Sequence, residues 1–431
     1  MSRILVSVMP FAGHVAPVTG VVAELVNRGH EVWVFTGSRY TARFENLGAL
    51  TIPWTDAPDF DEHDLAATFP AVGRRGPRGV LANLEHIFIR TGVGQARDIV
   101  RAHHATPFDA IVGDVMSSGT GLAAELLGLP WATLSIVPLS LPSDDLPPAG
   151  LALHPGFGGL GTLRDGLLRA VFQLASASLD AAFRSVRREL GLPMGKPFAT
   201  ALYSPWLVAV TGSPSLEYPR SDLGAQFHFV GRLPAAGRSR VQRPEWWGDA
   251  VTATTPVALV TQGTFNIDPA DLIRPTLEGL ADQKVMVIAT TTGASGVPAN
   301  ARTAPFLAFD EVLPLVDVAI TNGGWGGVLE ALSYGIPLIV AGGGLDKPEI
   351  AARVAWSGAG IDLRTGRPRP GAVAVAYSRV TTDARFAARA RAVAEELSAL
   401  GGTAAAADLI ERLVRVGEPV LRERSPWPNP G

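Results

Sequence analysis

Residues 321–340 read Thr321-Asn322-Gly323-Gly324-Trp325-Gly326-Gly327-Val328-Leu329-Glu330-Ala331-Leu332-Ser333-Tyr334-Gly335-Ile336-Pro337-Leu338-Ile339-Val340. The run before them, Val316-Asp317-Val318-Ala319-Ile320, has the β-branched content of a short buried strand. Val328, Leu329 and Leu332 then repeat at helical spacing until Gly335 and Pro337 stop the pattern. Strand, glycine loop and helix in this order present free backbone N–H groups at a positive helix end, an anion site suited to phosphate. Gly323, Gly324, Gly326 and Gly327 fall within five residues, letting the backbone approach a ligand with no Cβ in the way. A plain strand-to-helix turn needs only one or two glycines. The excess, with Trp325 in the loop and Glu330 on the first helical turn, favours a nucleotide-phosphate site.

Upstream the same grammar recurs. Ile4 to Val8 reads as a buried strand, followed by a loop carrying His14 and by Pro17 at the start of a helix. Val18, Val21, Val22 and Leu25 form that helix's inner face, Gly29 caps it, and Glu31 to Thr36 is the next strand. Strand signals return at Phe108–Gly113, ending at Asp114, and at Trp131–Val137, with a helix over Gly121–Leu127 between them. Leu163 to Leu190 reads as an interrupted helix, and Leu207–Thr211 and Phe227–Val230 close the first half. The second half restarts at the strand Val257–Thr261, followed by Gly263-Thr264 and a helix over Pro269–Leu280. Phe386 to Val414 is Ala-rich helix broken at Gly401-Gly402. Strands alternating with helices imply parallel sheets covered on both faces. The fold class is therefore α/β, two doubly wound Rossmann-like domains facing a central cleft. We expect a first domain over 1–232, a linker over 233–247, a second domain over 248–401, and a helix and tail over 402–431 packing back towards the first domain.

The 431 residues are 47% hydrophobic and 18% charged, the profile of a well-cored globular protein. A net charge of −3 gives no electrostatic signature for nucleic acid. The chain has no cysteine, so disulfides and thiol chemistry are excluded and a cytoplasmic location is expected. No run reaches the ~20 apolar residues of a membrane-spanning helix.

His14, between a strand and a helix, and Asp114, at a strand end, should share the carboxyl edge of the first sheet, where α/β proteins bind ligands. Imidazole titrates near neutrality and a carboxylate fixes its tautomer, so the pair suits a general base. The alternative is a loop histidine packed on Pro17 beside an unrelated aspartate. Glu330 could accept hydrogen bonds from two vicinal hydroxyls, as on a ribose, or simply start a helix. Asp346 and Lys347 open the following helix and suit sugar hydroxyls or phosphate, while Gly263 and Thr264 could offer an N–H and a hydroxyl to phosphate. Gly156-Phe157-Gly158-Gly159-Leu160-Gly161 matches a dinucleotide pattern but follows no strand. The acidic run Asp59 to Asp64 reads as solvated loop carboxylates, and no metal is expected. The long Pro-, Gly- and Phe-containing stretches 56–78 and 138–161 read as binding loops.

These residues together resemble the family 1 glycosyltransferases of the GT-B fold, in particular the bacterial macrolide and natural-product type. The resemblance spans nearly the whole chain, from Gly13-His14-Val15-Ala16-Pro17 to the signature between Asn322 and Arg353. It implies that His14 is the catalytic base and Asp114 its partner, and that Phe306, beside Leu307, stacks on the nucleotide base. Glu330 would hold the ribose and Asp346-Lys347 the donor sugar. Gly263, Thr264 and the loop from Asn322 through Gly323, Gly324, Trp325, Gly326 and Gly327 would line the diphosphate. The chain departs from the family pattern at Asn322, where a histidine is usual, at Lys347, where a glutamine is usual, and at Ala308-Phe309 in place of Pro-Gln.

The implied activity is an inverting, metal-independent transfer of sugar from a UDP- or dTDP-sugar to a hydroxyl of a small hydrophobic acceptor. The nucleotide sugar is a co-substrate and no cofactor is expected. Partners are the donor and the acceptor, with no nucleic acid or integral membrane contact and a homodimer left open. A nucleotide-sugar 2-epimerase of the same architecture, and a catalytically silent nucleotide-binding partner protein, are the alternatives.

Overall fold

The structure, a computed structural model, describes residues 1–73, 76–237, 241–263, 268–291 and 296–427. Among them, seven parallel strands build the first sheet: β1 (Arg3–Ser7), β2 (Glu31–Phe35), β3 (Leu50–Ile52), β4 (Ala110–Asp114), β5 (Trp131–Ser135), β6 (Leu207–Thr211) and β7 (Phe227–Gly231). Their order is β3-β2-β1-β4-β5-β6-β7. The second sheet holds β8 (Val257–Thr261), β9 (Met286–Thr290), β10 (Ala301–Ala304), β11 (Val318–Thr321), β12 (Leu338–Val340) and β13 (Gly360–Asp362), in the order β10-β9-β8-β11-β12-β13. These are the two doubly wound sheets that the alternation implied. Strand interiors such as Ile4-Leu5-Val6 and Ile111-Val112 are fully buried, as expected for sheets covered on both faces.

Strand order reverses between β1 and β4 in one sheet and between β8 and β11 in the other. The connections leave in opposite directions there, opening a crevice at the carboxyl ends of the strands. His14 and Asp114 follow β1 and end β4; Gly263 and Asn322 follow β8 and β11. Both candidate half-sites thus occupy topological switch points.

The chain's last helix, Gly402–Val416, inserts Ala406, Ala407, Ile410 and Leu413 into the core of the first half. Arg28, which caps the C-terminus of the first helix (Ala12–Asn27), bridges to Asp408 at 2.6 Å and Glu411 at 2.9 Å. The two halves also meet through a buried ion cluster. Arg353, on the helix Lys347–Ser357, lies 2.9 Å from Glu217 and 2.6 Å from Glu349, and its guanidinium stacks over Tyr218 at 4.7 Å. It donates as well to the Leu139 carbonyl at 3.2 Å. Nearby, the Trp325 indole N–H donates to Thr211 Oγ1 at 2.9 Å, and its ring lies against Gly212. A Cβ at Gly212 would come within 2.7 Å of that ring, and its φ of 97° is itself a glycine conformation.

Two expectations need correction. The helix read as interrupted over Leu163–Leu190 runs unbroken from Gly158 to Glu189. Glu330 lies on the second turn, because the helix Trp325–Ser333 begins at Trp325, which is helical rather than in the loop. Beyond these, the stretch 138–161, read as a binding loop, also grips the second half: Gly150 and Ala152 N–H donate to Glu349 at 3.0 and 2.8 Å, and Phe157 stacks on Trp356.

Replacing Arg353 by methionine leaves Glu217 buried with Arg220 at 3.4 Å as its remaining cation, besides the N–H groups of Tyr218 and Leu139. Arg353→Met should therefore cost about 3 kcal/mol, the low end for breaking a buried pair. A urea-unfolding midpoint equal to that of the wild type would show that the cluster does not hold the halves together.

Candidate active site

His14 sits in the first turn of the helix Ala12–Asn27, its N–H bonded to the Phe11 carbonyl at 2.9 Å. Its Nδ1 lies 3.0 Å from both carboxylate oxygens of Asp114. Asp114 is held in turn by the N–H groups of Met9 at 2.9 Å and Met116 at 2.8 Å. The Asp114 side chain is completely covered, whereas that of His14 is 17% exposed. With Nδ1–H committed to the carboxylate, the Nε2 lone pair is the basic position. Burial works against the imidazolium. The Asp114 charge and hydrogen bond outweigh it, aided by Asp346 and Glu62, so the His14 pKa is raised above its usual 6.5.

An aromatic wall flanks this imidazole. Phe11 lies 5.6 Å from the His14 ring, 5.3 Å from Phe60 and 5.7 Å from Phe88. Phe60 comes from the expected binding loop 56–78 and meets Phe69 at 5.3 Å. In the acidic run of that loop Asp59, Asp61 and Asp64 are exposed, as expected, and Glu62 is the exception. Glu62 is buried, accepts the Ala12 N–H at 2.9 Å at the helix start, and accepts the Tyr40 hydroxyl; Asp61 pairs with Arg39.

Across the crevice, Gly323 adopts φ 88°, and a Cβ there would come within 2.9 Å of Val340. Gly324, Gly326 and Gly327 are different: a Cβ on any of them would meet nothing within 4 Å. The first helical bond runs from the Val328 N–H to the Gly324 carbonyl, so the N–H groups of residues 324–327 precede the ladder. Open space over those donors is what an anion requires. Asn322 is buried and spends its amide N–H on the Gln262 carbonyl, beside Gly263. Thr264 lies outside the described residues. The Leu307 side chain is buried in the second core, while Phe306 is 57% exposed. Trp325 is covered, so it offers the crevice its main chain.

Glu330 pairs with Arg232 at 2.7 Å, and burial raises its pKa with Arg232 pulling the other way. Arg232 was not singled out in the sequence; its position one residue after a strand-ending glycine, in the segment joining the halves, was the available signal. Asp346 is exposed at the start of the helix Lys347–Ser357, after Leu345 with a left-handed φ of 56°. Its charge acts on His14, so the crevice brings residues of the two halves into electrostatic contact.

Residues 277–413 match the erythromycin biosynthesis protein CIII-like C-terminal domain. The chain is 36% identical over 422 residues to 4'-demethylrebeccamycin synthase of Lentzea aerocolonigenes, covering 96% of this chain and all of that protein. It is 30% identical to UDP-glucosyltransferase A1 of Starmerella bombicola, covering 91% and 88% of the two chains. The crystal structure of a kitacinnamycin glycosyltransferase superposes with a TM-score of 0.75 at 23% identity, over 96% of this chain and 99% of that one. The chain belongs to the GT-B glycosyltransferases of family 1, natural-product type. It is a glycosyltransferase enzyme.

Removing the Asp114 charge takes away the main force favouring the imidazolium. In Asp114→Asn the His14 pKa, followed by NMR of the imidazole, should fall below its wild-type value. An unchanged titration would mean that the carboxylate does not govern the ring.

Proposed function

We propose that the enzyme transfers a sugar with inversion from a UDP- or dTDP-sugar to a hydroxyl of a small hydrophobic acceptor, without a metal. The observation that carries this reading is the His14–Asp114 pair at the switch point of the first sheet, together with the open glycine loop at the switch point of the second. His14 Nε2 accepts the acceptor's hydroxyl proton as its oxygen attacks the anomeric carbon, and the bond to the diphosphate breaks on the opposite side. Asp114 steadies the imidazolium that forms. Charge building on the leaving diphosphate meets the N–H groups of residues 324–327, which are already oriented before the reaction.

In this reading Phe306 stacks on the base and Glu330 takes the ribose hydroxyls after release from Arg232. Asp346 and Lys347 hold the donor sugar, and Gly263 and Thr264 complete the diphosphate cradle. Asn322, engaged with Gln262, shapes the loop rather than carrying charge, which leaves Lys347 as the cation of the signature. The name of the Starmerella relative supports a uridine donor. The wall of Phe11, Phe60 and Phe88 supports an apolar acceptor held beside the base.

His14→Ala should lower kcat by about 10²–10⁴-fold, the range for losing a general base, with the nucleotide Kd unchanged. Retention of most transfer would sink the base assignment. In wild-type enzyme kcat/KM should fall as pH drops through the His14 pKa, because a protonated ring cannot accept a proton. That limb should lie above pH 6.5. Glu330→Ala should weaken nucleoside diphosphate binding by about 1–3 kcal/mol, the cost of lost hydrogen bonds to a charged group. Calorimetry giving equal affinities would remove the ribose role.

A further inference from the structure

The helix Gly158–Glu189 buries only one of its faces. Asp165, Leu179, Phe183 and Val186 are buried along that side, where the helix packs against the segment Leu84–Ile89 and the helix Gly92–Ala105. At ~100° per residue, Leu160, Leu163, Leu167, Val171 and Leu174 gather on the opposite side. They are 86, 59, 62, 65 and 80% exposed. Such a continuous apolar row on a water-facing surface marks an interaction site. Phe88, which reaches the aromatic wall beside His14, belongs to the segment packed against the helix on its inner side.

The spacing of the row identifies what covers it. Leu163 and Val171 each stand four residues from Leu167, and Leu160 and Leu174 each stand seven from it. The row is a palindrome about Leu167. A second copy of the same helix, laid antiparallel on a two-fold axis through Leu167, sets Leu160 against Leu174 and Leu163 against Val171, twice over. Such an isologous contact needs a surface complementary to itself, and this row has that property. Residues 170–179 carry no charged side chain to repel the other copy. Arg164 and Arg169, the nearest cations, are engaged by Asp165 and the Leu146 carbonyl of their own chain. At roughly 100 Å² per side chain, the five residues from each copy would bury about 1,000 Å², the threshold for a specific interface. We propose that this chain forms a homodimer through the antiparallel pairing of the Leu160–Leu174 face with its own symmetry mate.

Because the chain has no native cysteine, crosslinking can test the register directly. Under mild oxidation Leu167→Cys should form a disulfide dimer with itself, since that residue faces its own copy on the axis. Leu160→Cys alone should stay uncrosslinked and should crosslink when mixed with Leu174→Cys. Sedimentation velocity of the wild type at micromolar concentration should give a dimer. The doubly substituted Leu163→Glu/Leu167→Glu chain should give a monomer with unchanged melting temperature and unchanged nucleotide Kd. A monomeric wild type, or a dimer that survives both glutamates, would overturn the proposal. So would wild-type co-sedimentation with phosphatidylglycerol vesicles that the glutamates abolish, which would assign the face to a lipid surface. A raised acceptor KM with no change in mass would assign it to the acceptor and equally refute the dimer.

Discussion

Two parallel sheets can face each other across a crevice only if something fixes their mutual angle, and here a buried guanidinium contributes that constraint. Arg353 joins Glu217 of the first half to Glu349 of its own helix, with its charge almost entirely out of water. A lone cation in that position would be strongly disfavoured, so the arrangement persists only while both carboxylates are present. The same helix begins at Asp346 and Lys347, on the crevice side. Anchoring it to the first half through Arg353, and through the clasp of Gly150 and Ala152 on Glu349, therefore also sets where its first residues sit relative to His14.

The chemistry of the crevice follows from opposite demands on its two edges. On one edge a carboxylate accepts hydrogen bonds from two backbone N–H groups and a ring nitrogen, and its charge pulls the imidazole towards its protonated form despite burial. In the proposed mechanism this pair is the base, its conjugate acid stabilised in place. On the other edge, the N–H groups of residues 324–327 precede the helical ladder, beside glycines whose Cβ positions open onto free space. In the proposed mechanism, proton uptake at one edge and anion departure at the other are complementary halves of one transfer. The acidic residues Asp346 and Glu62 add to the field at the imidazole without touching it.

Much of this was legible in the sequence where a residue's role depends on local geometry. The Gly323–Gly327 cluster implied a strand-to-helix loop with open Cβ positions because no other residue type leaves that space. His14 and Asp114 could be paired because the ends of parallel strands share one sheet edge. Roles set by distant partners were not legible. Arg353 closed the quoted signature without a function, since its partner Glu217 lies 136 positions away. Trp325 looked like a loop aromatic, yet it packs on Gly212 of the other half. The 138–161 stretch had the composition of a binding loop but binds the chain's own helix. Glu62 sat among loop carboxylates that look alike in sequence, and only the fold brings it to a helix start.

The central claim is that the imidazole of the first half faces the anion site of the second. It is tested most directly by titrating His14 by NMR with and without saturating UDP or dTDP. A diphosphate seated on residues 324–327 adds negative charge across the crevice, so the His14 pKa should rise further on binding. A His14 titration curve that nucleotide leaves unmoved, under conditions where binding is demonstrated, would contradict the account.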